Sequence, residues 1–75
     1  EFIILQELLR EPGTVIPCLR LAQAINQMIQ DEEEARLLIR PHIGRLRRKI
    51  ERNPQEPVHL VSVRGLGYRW VAEGS

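Results

Sequence analysis

The sequence predicts a small, mainly α-helical fold in which three helices are followed by a C-terminal β-hairpin. Two patterns indicate this fold class. Apolar residues recur at helical spacing through residues 1–52, whereas β-branched and aromatic residues surround a glycine-containing turn in residues 58–72. A chain of 75 residues has the length of one small domain, so we predict that residues 1–75 form a single unit.

The first helix is predicted over about residues 1–10, and it ends before Pro12-Gly13, a pair that stops helices. No capping residue stands ahead of this helix, so we expect natural sequence to precede Glu1. The residues predicted to face the core are Phe2, Leu5, Leu8 and Leu9.

The second helix is predicted over about residues 17–28, after a short β-branched link at residues 14–16. Pro17 suits its first turn, because proline lacks the amide hydrogen that would have no partner within the helix there. The predicted inward residues are Leu19, Ala22 and Ile25, followed by either Met28 or Ile29.

The third helix is predicted over about residues 33–52. Asp31 is expected to cap its N-terminus, with Glu34 three residues later, as in a capping box. A metal site formed by the acids at 31–34 is disfavoured, because adjacent carboxylates diverge around a helix axis and no histidine lies near them. The predicted core face consists of Ile39, Ile43, Leu46 and Ile50.

The other side of the third helix is strongly basic. Residues 36–52 contain seven of the eleven Lys and Arg residues and one acid, whereas residues 1–35 contain seven acids and two bases. This concentration predicts a polyanion partner, and a solvated basic face is the alternative. Arginine outnumbers lysine here, which favours contacts with phosphates and guanine edges. The line pointing away from the core consists of Pro41, Arg45, Arg48 and Arg52, with Arg40, Arg47, His42 and Lys49 on its flanks.

The hairpin is predicted over about residues 58–72, with Arg64 at its tip. Arg64 is either a binding residue or a solvated loop charge. Tyr68 and Trp70 lie on one strand face, and core packing is the expected role of Trp70.

Several classes of function are excluded by composition. Cys18 is the single cysteine, so the chain cannot form an internal disulfide or a cysteine-based zinc site. The sequence contains no long apolar run or signal peptide, which predicts a soluble, cytoplasmic protein without membrane contact. No cofactor or metal is expected. A small hydrolase or metal enzyme is disfavoured, because no Cys/His cluster or carboxylate pair has workable spacing.

Two motifs in fixed order carry a family resemblance. Residues 42–51 read HIGRLRRKIE, and residues 61–70 read VSVRGLGYRW. These segments resemble the C-terminal DNA-binding domain of OmpR/PhoB-type response regulators, which has an HI-x-x-LR-x-K helix followed by a TVRG-x-GYRF-like hairpin. Glu1-Phe2 and Pro12-Gly13-x-Val15 match the family's first helix and following turn. The resemblance implies a winged helix-turn-helix, in which the third helix enters the major groove and the hairpin, or wing, an adjacent groove.

The resemblance also implies roles for individual residues. Arg45 matches the position of a base-contacting arginine of the family, and Arg40 and Pro41 match neighbouring groove-facing positions. Arg64 matches the wing arginine that enters the minor groove. Arg48 and Lys49 are predicted backbone contacts from their outward positions. Positions that commonly lie near the phosphate backbone are matched by Leu38, His42, Gly44, Arg47, Ser62 and Tyr68.

Departures from the family pattern prevent transfer of a DNA sequence preference. Arg40 stands where an aspartate is common, and Gly44 has no side chain to reach a phosphate. Pro17-Cys18 replaces a capping serine and a basic residue.

The partners implied by the resemblance are double-stranded DNA and, in the full-length protein, an upstream receiver domain. We expect a monomer as the isolated domain and a dimer on tandem DNA repeats. A four-stranded platform sheet normally precedes the first helix in this family, and these residues lack it. The competing hypothesis is a protein-interaction module in which residues 27–34 contact RNA polymerase; a steep loss of DNA affinity with salt would favour DNA binding.

Overall fold

The computed structural model describes residues 2–72 and contains three α-helices and one antiparallel sheet of three strands. The predicted fold class, a three-helix winged helix, is confirmed. The elements in chain order are α1 (Phe2–Arg10), β1 (Val15–Pro17), α2 (Cys18–Ile25), α3 (Glu32–Ile50), β2 (Leu60–Val63) and β3 (Gly67–Trp70). Within these described residues, no helix is both long and apolar enough to cross a membrane.

The hairpin is part of a larger sheet than the sequence predicts. β3 lies in the centre and pairs with both β2 and β1, so the link predicted at residues 14–16 is instead mostly an edge strand. Pro17 ends this strand and stands ahead of α2 rather than in its first turn. A strand of three residues is too short to show alternation, which is why the pattern did not reveal it.

The predicted inner face of α1 is partly wrong. Ile4 and Leu8 are fully buried, whereas Phe2 and Leu9 are 69% and 45% exposed. Leu5 packs against the core at its margin. Since α1 is apolar around most of its circumference, its contacts with α2 and β3, rather than its own pattern, select the buried face.

α2 ends at Ile25, three residues before its predicted end. The Asn26 side chain accepts a hydrogen bond from the Met28 amide at 3.0 Å, an Asx turn that competes with helix continuation. Of the two candidates for the next inward residue, Ile29 is buried, whereas Met28 is 83% exposed.

α3 begins with the predicted cap and buries the predicted face. The Asp31 carboxylate accepts a hydrogen bond from the Glu34 amide at 2.9 Å, so the cap is confirmed. Ile39, Ile43 and Leu46 are buried, and Ile50 packs beside them. The buried core comprises Ile4, Leu8, Ile16, Leu21, Ala22, Ile29, Ala35, Ile39, Ile43, Leu46 and Leu60.

Gly67 allows β1 to approach β3 closely. A Cβ at residue 67 would overlap the carbonyl group of Ile16 and lie 2.8 Å from Pro17 Cα, and both are backbone atoms. Gly44 differs, because a Cβ there meets no atom of the described chain within 4 Å. The structure thus gives no sign that another backbone requires a glycine at residue 44.

We predict that Gly67→Ala lowers the free energy of unfolding by about 3 kcal/mol, because the added methyl group forces two backbones apart. Gly44→Ala is the matched control: it should raise the free energy of unfolding by up to about 1 kcal/mol, because alanine favours the helix. Urea unfolding measures both. A loss of stability below about 1 kcal/mol for Gly67→Ala would show that β1 can shift away without cost.

Candidate nucleic-acid interface

α3 places most of the predicted binding residues on its solvent side. Its inner side faces the core, so the residues pointing the other way form a continuous exposed surface. We call this surface the basic face; its exposed members are Arg40, Pro41, Arg45, Arg48 and Lys49, whereas Arg52, predicted to continue this line, is exposed but lies beyond the end of α3.

The charges of α3 are separated along its axis. Three acids occupy the first turn and three bases the last turn, which suits the helix dipole at both ends. Arg36 pairs with Glu33 at 3.0 Å near the N-terminus. The remaining bases of the helix lie beyond that pair, so the positive potential is concentrated in its C-terminal two-thirds.

Two cations of the basic face have neighbours that orient them. Arg45 Nη2 lies 3.4 Å from His42 Nδ1, and His42 is half-buried. The Lys49 ammonium lies 5.3 Å from the centre of the Phe2 ring, within range of a cation–π interaction. Arg45 and Lys49 nevertheless remain exposed, so a polyanion can reach both.

Arg47 points towards the sheet, and contacts there bring three predicted phosphate-proximal residues together. Its Nε and Nη2 donate to the Leu60 carbonyl oxygen at 3.0 and 2.9 Å, and Nη2 also lies 3.0 Å from Ser62 Oγ. The guanidinium carbon lies 5.8 Å from the centre of the Tyr68 ring. Arg47, Ser62 and Tyr68 therefore form one cluster that joins α3 to the wing.

Tyr68 keeps its hydroxyl proton at neutral pH. Burial raises the pKa of the Tyr68 phenol above its ordinary value, and the nearby charge of Arg47 only partly opposes this shift. A protonated phenol can donate a hydrogen bond to a phosphate oxygen.

The wing ends in a tight turn that carries Arg64. The Leu66 amide donates to the Val63 carbonyl oxygen at 2.9 Å, and Gly65 has a φ of 77°, which favours glycine. Arg64 is exposed beside this glycine. An open cleft of about 650 Å³ lies between the wing tip and α3; its lining includes Arg36, Arg40, Ser62, Arg64 and Tyr68.

Glu51 supports the candidate interface structurally, a role that the sequence analysis missed. Its buried carboxylate accepts hydrogen bonds from the amides of Val58 at 3.0 Å, His59 at 3.0 Å and Leu60 at 2.7 Å. His59 Nδ1 lies 3.3 Å from the same carboxylate, and its ring stacks on Trp70. Glu51 thereby attaches the base of the wing to the end of α3.

The pKa of Glu51 reflects two opposing effects. Burial favours the neutral acid, but the three amide donors and His59 stabilise the carboxylate more strongly, so the pKa of Glu51 lies below its ordinary value. The signal in the sequence was that Glu51 is the one acid in the basic segment 36–52.

Residues 2–72 contain no group of three His, Cys, Asp or Glu side chains placed to hold a metal ion. Cys18 is half-buried, and burial raises the pKa of its thiol.

Residues 1–70 match the sequence model of the family of C-terminal domains of transcriptional regulatory proteins. The chain belongs to this family. The match confirms the resemblance to OmpR/PhoB-type effector domains of response regulators, and this family consists of transcriptional regulators rather than enzymes.

Relatives of this OmpR/PhoB-type chain include two mycobacterial proteins. The sensory transduction protein RegX3 of Mycobacterium leprae is 41% identical over 69 residues, which cover 92% of this chain and 34% of that protein. RegX3 of Mycolicibacterium smegmatis is 43% identical over 69 residues, which cover 92% of this chain and 29% of that protein. The chain thus spans about a third of the length of these curated relatives.

The transcriptional regulatory protein YvrH of Bacillus subtilis is similar over a shorter segment. It is 60% identical over 30 residues, which cover 40% of this chain and 13% of that protein.

Within this OmpR/PhoB-type fold, the predicted site residues fall into three groups. The exposed residues of α3 and the wing tip are open to a partner, namely Arg40, Pro41, Arg45, Arg48, Lys49 and Arg64. Arg47, Ser62 and Tyr68 contact one another between helix and wing. Leu38 and His42 are half-buried, and Leu38 packs against the core.

We predict that Glu51→Gln lowers the free energy of unfolding by about 2 kcal/mol at pH 7, because an uncharged amide is a weaker acceptor for the three backbone amide donors. The depressed pKa of Glu51 means that the unfolded chain binds the proton more readily than the folded one. The contribution of Glu51 is therefore complete above the ordinary glutamate pKa and is lost as the pH falls through the lower folded-state value. The difference in free energy of unfolding between the wild type and Glu51→Gln should therefore shrink as the pH falls into the acid range. Urea unfolding at several pH values measures it.

Glu56→Gln is the control for this measurement, since Glu56 is an exposed acid in the neighbouring loop. It should leave stability unchanged at each pH. If the loss in free energy of unfolding caused by Glu51→Gln stays constant from neutral to acid pH, the role of the ionised carboxylate is contradicted.

Proposed function

We propose that this chain is the output domain of a two-component response regulator and that it binds double-stranded DNA sequence-specifically to control transcription. The observation that carries the proposal is the exposed basic face of α3 with the Arg64 wing tip across a cleft from it. Two separate cationic elements of this kind match the two adjacent grooves of a duplex. Membership in a family of transcriptional regulators supports the same function.

α3 acts as the recognition helix in this proposal. Arg45 projects from the basic face, and its planar fork can donate to O6 and N7 of a guanine. Arg40 and Pro41 lie one turn earlier on the same exposed side and would meet neighbouring bases.

Phosphate contacts would surround these base contacts. Arg48 and Lys49 supply exposed cations towards the end of the helix. The other residues proposed to lie near the DNA backbone are Leu38, His42, Gly44, Arg47, Ser62 and Tyr68. Since Arg47 bonds to the wing, we infer that it holds Ser62 and Tyr68 in position. Its guanidinium also adds to the local positive charge.

The assembly proposed for the whole protein follows from the family. An upstream receiver domain would supply most of the dimerisation, and the isolated chain would be a monomer that pairs on tandem DNA repeats. We propose that the protein acts in the cytoplasm, without catalysis, cofactor or metal.

The test of this function compares Arg45→Ala with Arg48→Ala. Duplexes selected from a random pool and unselected duplexes are titrated at several salt concentrations. Arg45→Ala should cost about 1 to 3 kcal/mol on the selected duplex alone, because it removes a base contact. Arg48→Ala and Lys49→Ala should weaken both duplexes alike and reduce the salt slope by about one each, because they remove phosphate contacts.

Binding that hardly changes with salt, or a random pool from which no sequence emerges, would contradict specific DNA recognition. Equal losses on both duplexes for Arg45→Ala would show that Arg45 contacts only phosphate.

A second prediction concerns the wing. Arg64→Ala should weaken binding most on duplexes whose flank is an A-tract, because a narrow minor groove has the negative potential that attracts an arginine. The thermal midpoint should hardly change, since Arg64 is exposed at the turn. The measurement is the dissociation constant on matched duplexes with A·T-rich or G·C-rich flanks. Identical losses on the two flanks would refute the minor-groove role.

One observation favours a second candidate function, contact with RNA polymerase through residues 27–34. Met28 is 83% exposed in the loop between α2 and α3, and four acids follow at 31–34. An exposed methionine beside charged residues suits a protein surface better than DNA. Met28→Ser should then reduce transcription without changing DNA affinity, whereas an effect on DNA affinity would place this loop in the DNA interface.

A further inference from the structure

An exposed leucine lies on the basic face of α3. Leu37 is 61% exposed and takes no part in the core, although Ala35 and Ile39, two residues before and after it on α3, are fully buried. Its position, four residues before Pro41, makes the two side chains neighbours on the same side of the helix. Leu37 and Pro41 thus form an exposed apolar pair, and neither residue belongs to the buried core.

The charges around this apolar pair indicate what it contacts. Arg40 and Arg45 adjoin it on the helix, and Arg64 lies across the cleft that Arg36 and Arg40 line. Two acids, Glu33 and Glu34, lie one turn before Leu37, and Glu33 is paired with Arg36 at 3.0 Å. A partner that accepts arginines on both sides of an apolar spot must be anionic at its periphery and apolar at one point within.

The major groove of DNA has this combination of properties. Phosphates border it, and thymine is the one base that presents a methyl group on its floor. A leucine side chain offers no donor or acceptor, so it would leave the groove edges of adenine, guanine and cytosine without the hydrogen bonds that water provides. A thymine methyl, in contrast, gains from apolar contact.

We infer that Leu37, next to Pro41, contacts a thymine C5-methyl group in the major groove and thereby determines a preference for thymine at that base pair. This inference rests on the proposed DNA-binding function. Arg45 would read guanine through hydrogen bonds, whereas Leu37 adds a specificity determinant that acts through burial of a methyl group.

The experiment removes the methyl group from the DNA and the leucine from the protein. In the duplex selected by the wild-type chain, each thymine is replaced in turn by deoxyuridine, which differs by that methyl group alone. Affinities are measured for the wild type, Leu37→Ala and Leu37→Met. Leu9→Ala is the matched control, because Leu9 is an exposed leucine on α1, outside the basic face.

We expect one thymine at which methyl removal weakens wild-type binding about fourfold, the effect of burying one methyl-sized group. The Leu37→Ala variant should bind the thymine duplex and the deoxyuridine duplex equally. The Leu37→Met and Leu9→Ala variants should keep the fourfold difference between them. The thermal midpoint of Leu37→Ala should equal that of the wild type, because the side chain is exposed.

The outcomes separate this inference from the proposed function. If the chain selects a sequence and binds it with steep salt dependence, but Leu37→Ala retains the wild-type response to every methyl removal, the leucine contact is refuted and DNA binding stands. A selected sequence without thymine refutes it equally. If no sequence is selected, both the proposed function and this inference fail.

Discussion

The structure depends on the way α3 holds the outer edge of β2 at Leu60. The Leu60 amide donates to the Glu51 carboxylate at 2.7 Å, and the Leu60 carbonyl oxygen accepts two bonds from Arg47. Both backbone groups of this buried residue thus find their partners on α3 and its C-cap residue rather than on another strand. Because a buried backbone group without a partner is costly, these bonds fix the wing relative to α3.

The same basic segment therefore serves two purposes. Arg47 uses its donors within the fold, while Arg40, Arg45 and Arg48 remain exposed. The planar guanidinium suits both uses, since it can make several directed hydrogen bonds or face a phosphate or guanine. The charge count alone does not separate these uses, because the direction of each side chain depends on where the wing packs.

Much of the fold could be predicted from the sequence where the pattern was strongly one-sided. The inner face of α3 followed from apolar residues at spacings of three and four among many charges. α1 gave no such contrast, since six of its nine residues are Phe, Ile or Leu, and its exposed Phe2 and Leu9 were misassigned. β1 was missed because its partner is β3, about fifty residues later, and local patterns do not encode such pairing.

The candidate site, too, could be predicted only where local sequence patterns determine the position of a residue. The exposed position of Arg45 and the turn at Arg64 follow from local periodicity and turn chemistry, so the sequence placed them correctly on the surface. The bonds of Arg47 and Glu51 involve backbone amides and a carbonyl 7 to 13 residues away and could not be inferred locally. The DNA roles of these residues stay predictions.

The covered edge of β2 also affects how the sheet can meet other chains. Exposed edge strands invite a further strand to add by backbone hydrogen bonding, a common route to aggregation. Here Glu51 and Arg47 occupy one edge, and the opposite edge is the three-residue β1, which ends in Pro17 and so lacks one donor. Strand addition is thereby disfavoured at Leu60 on one edge and at Pro17 on the other.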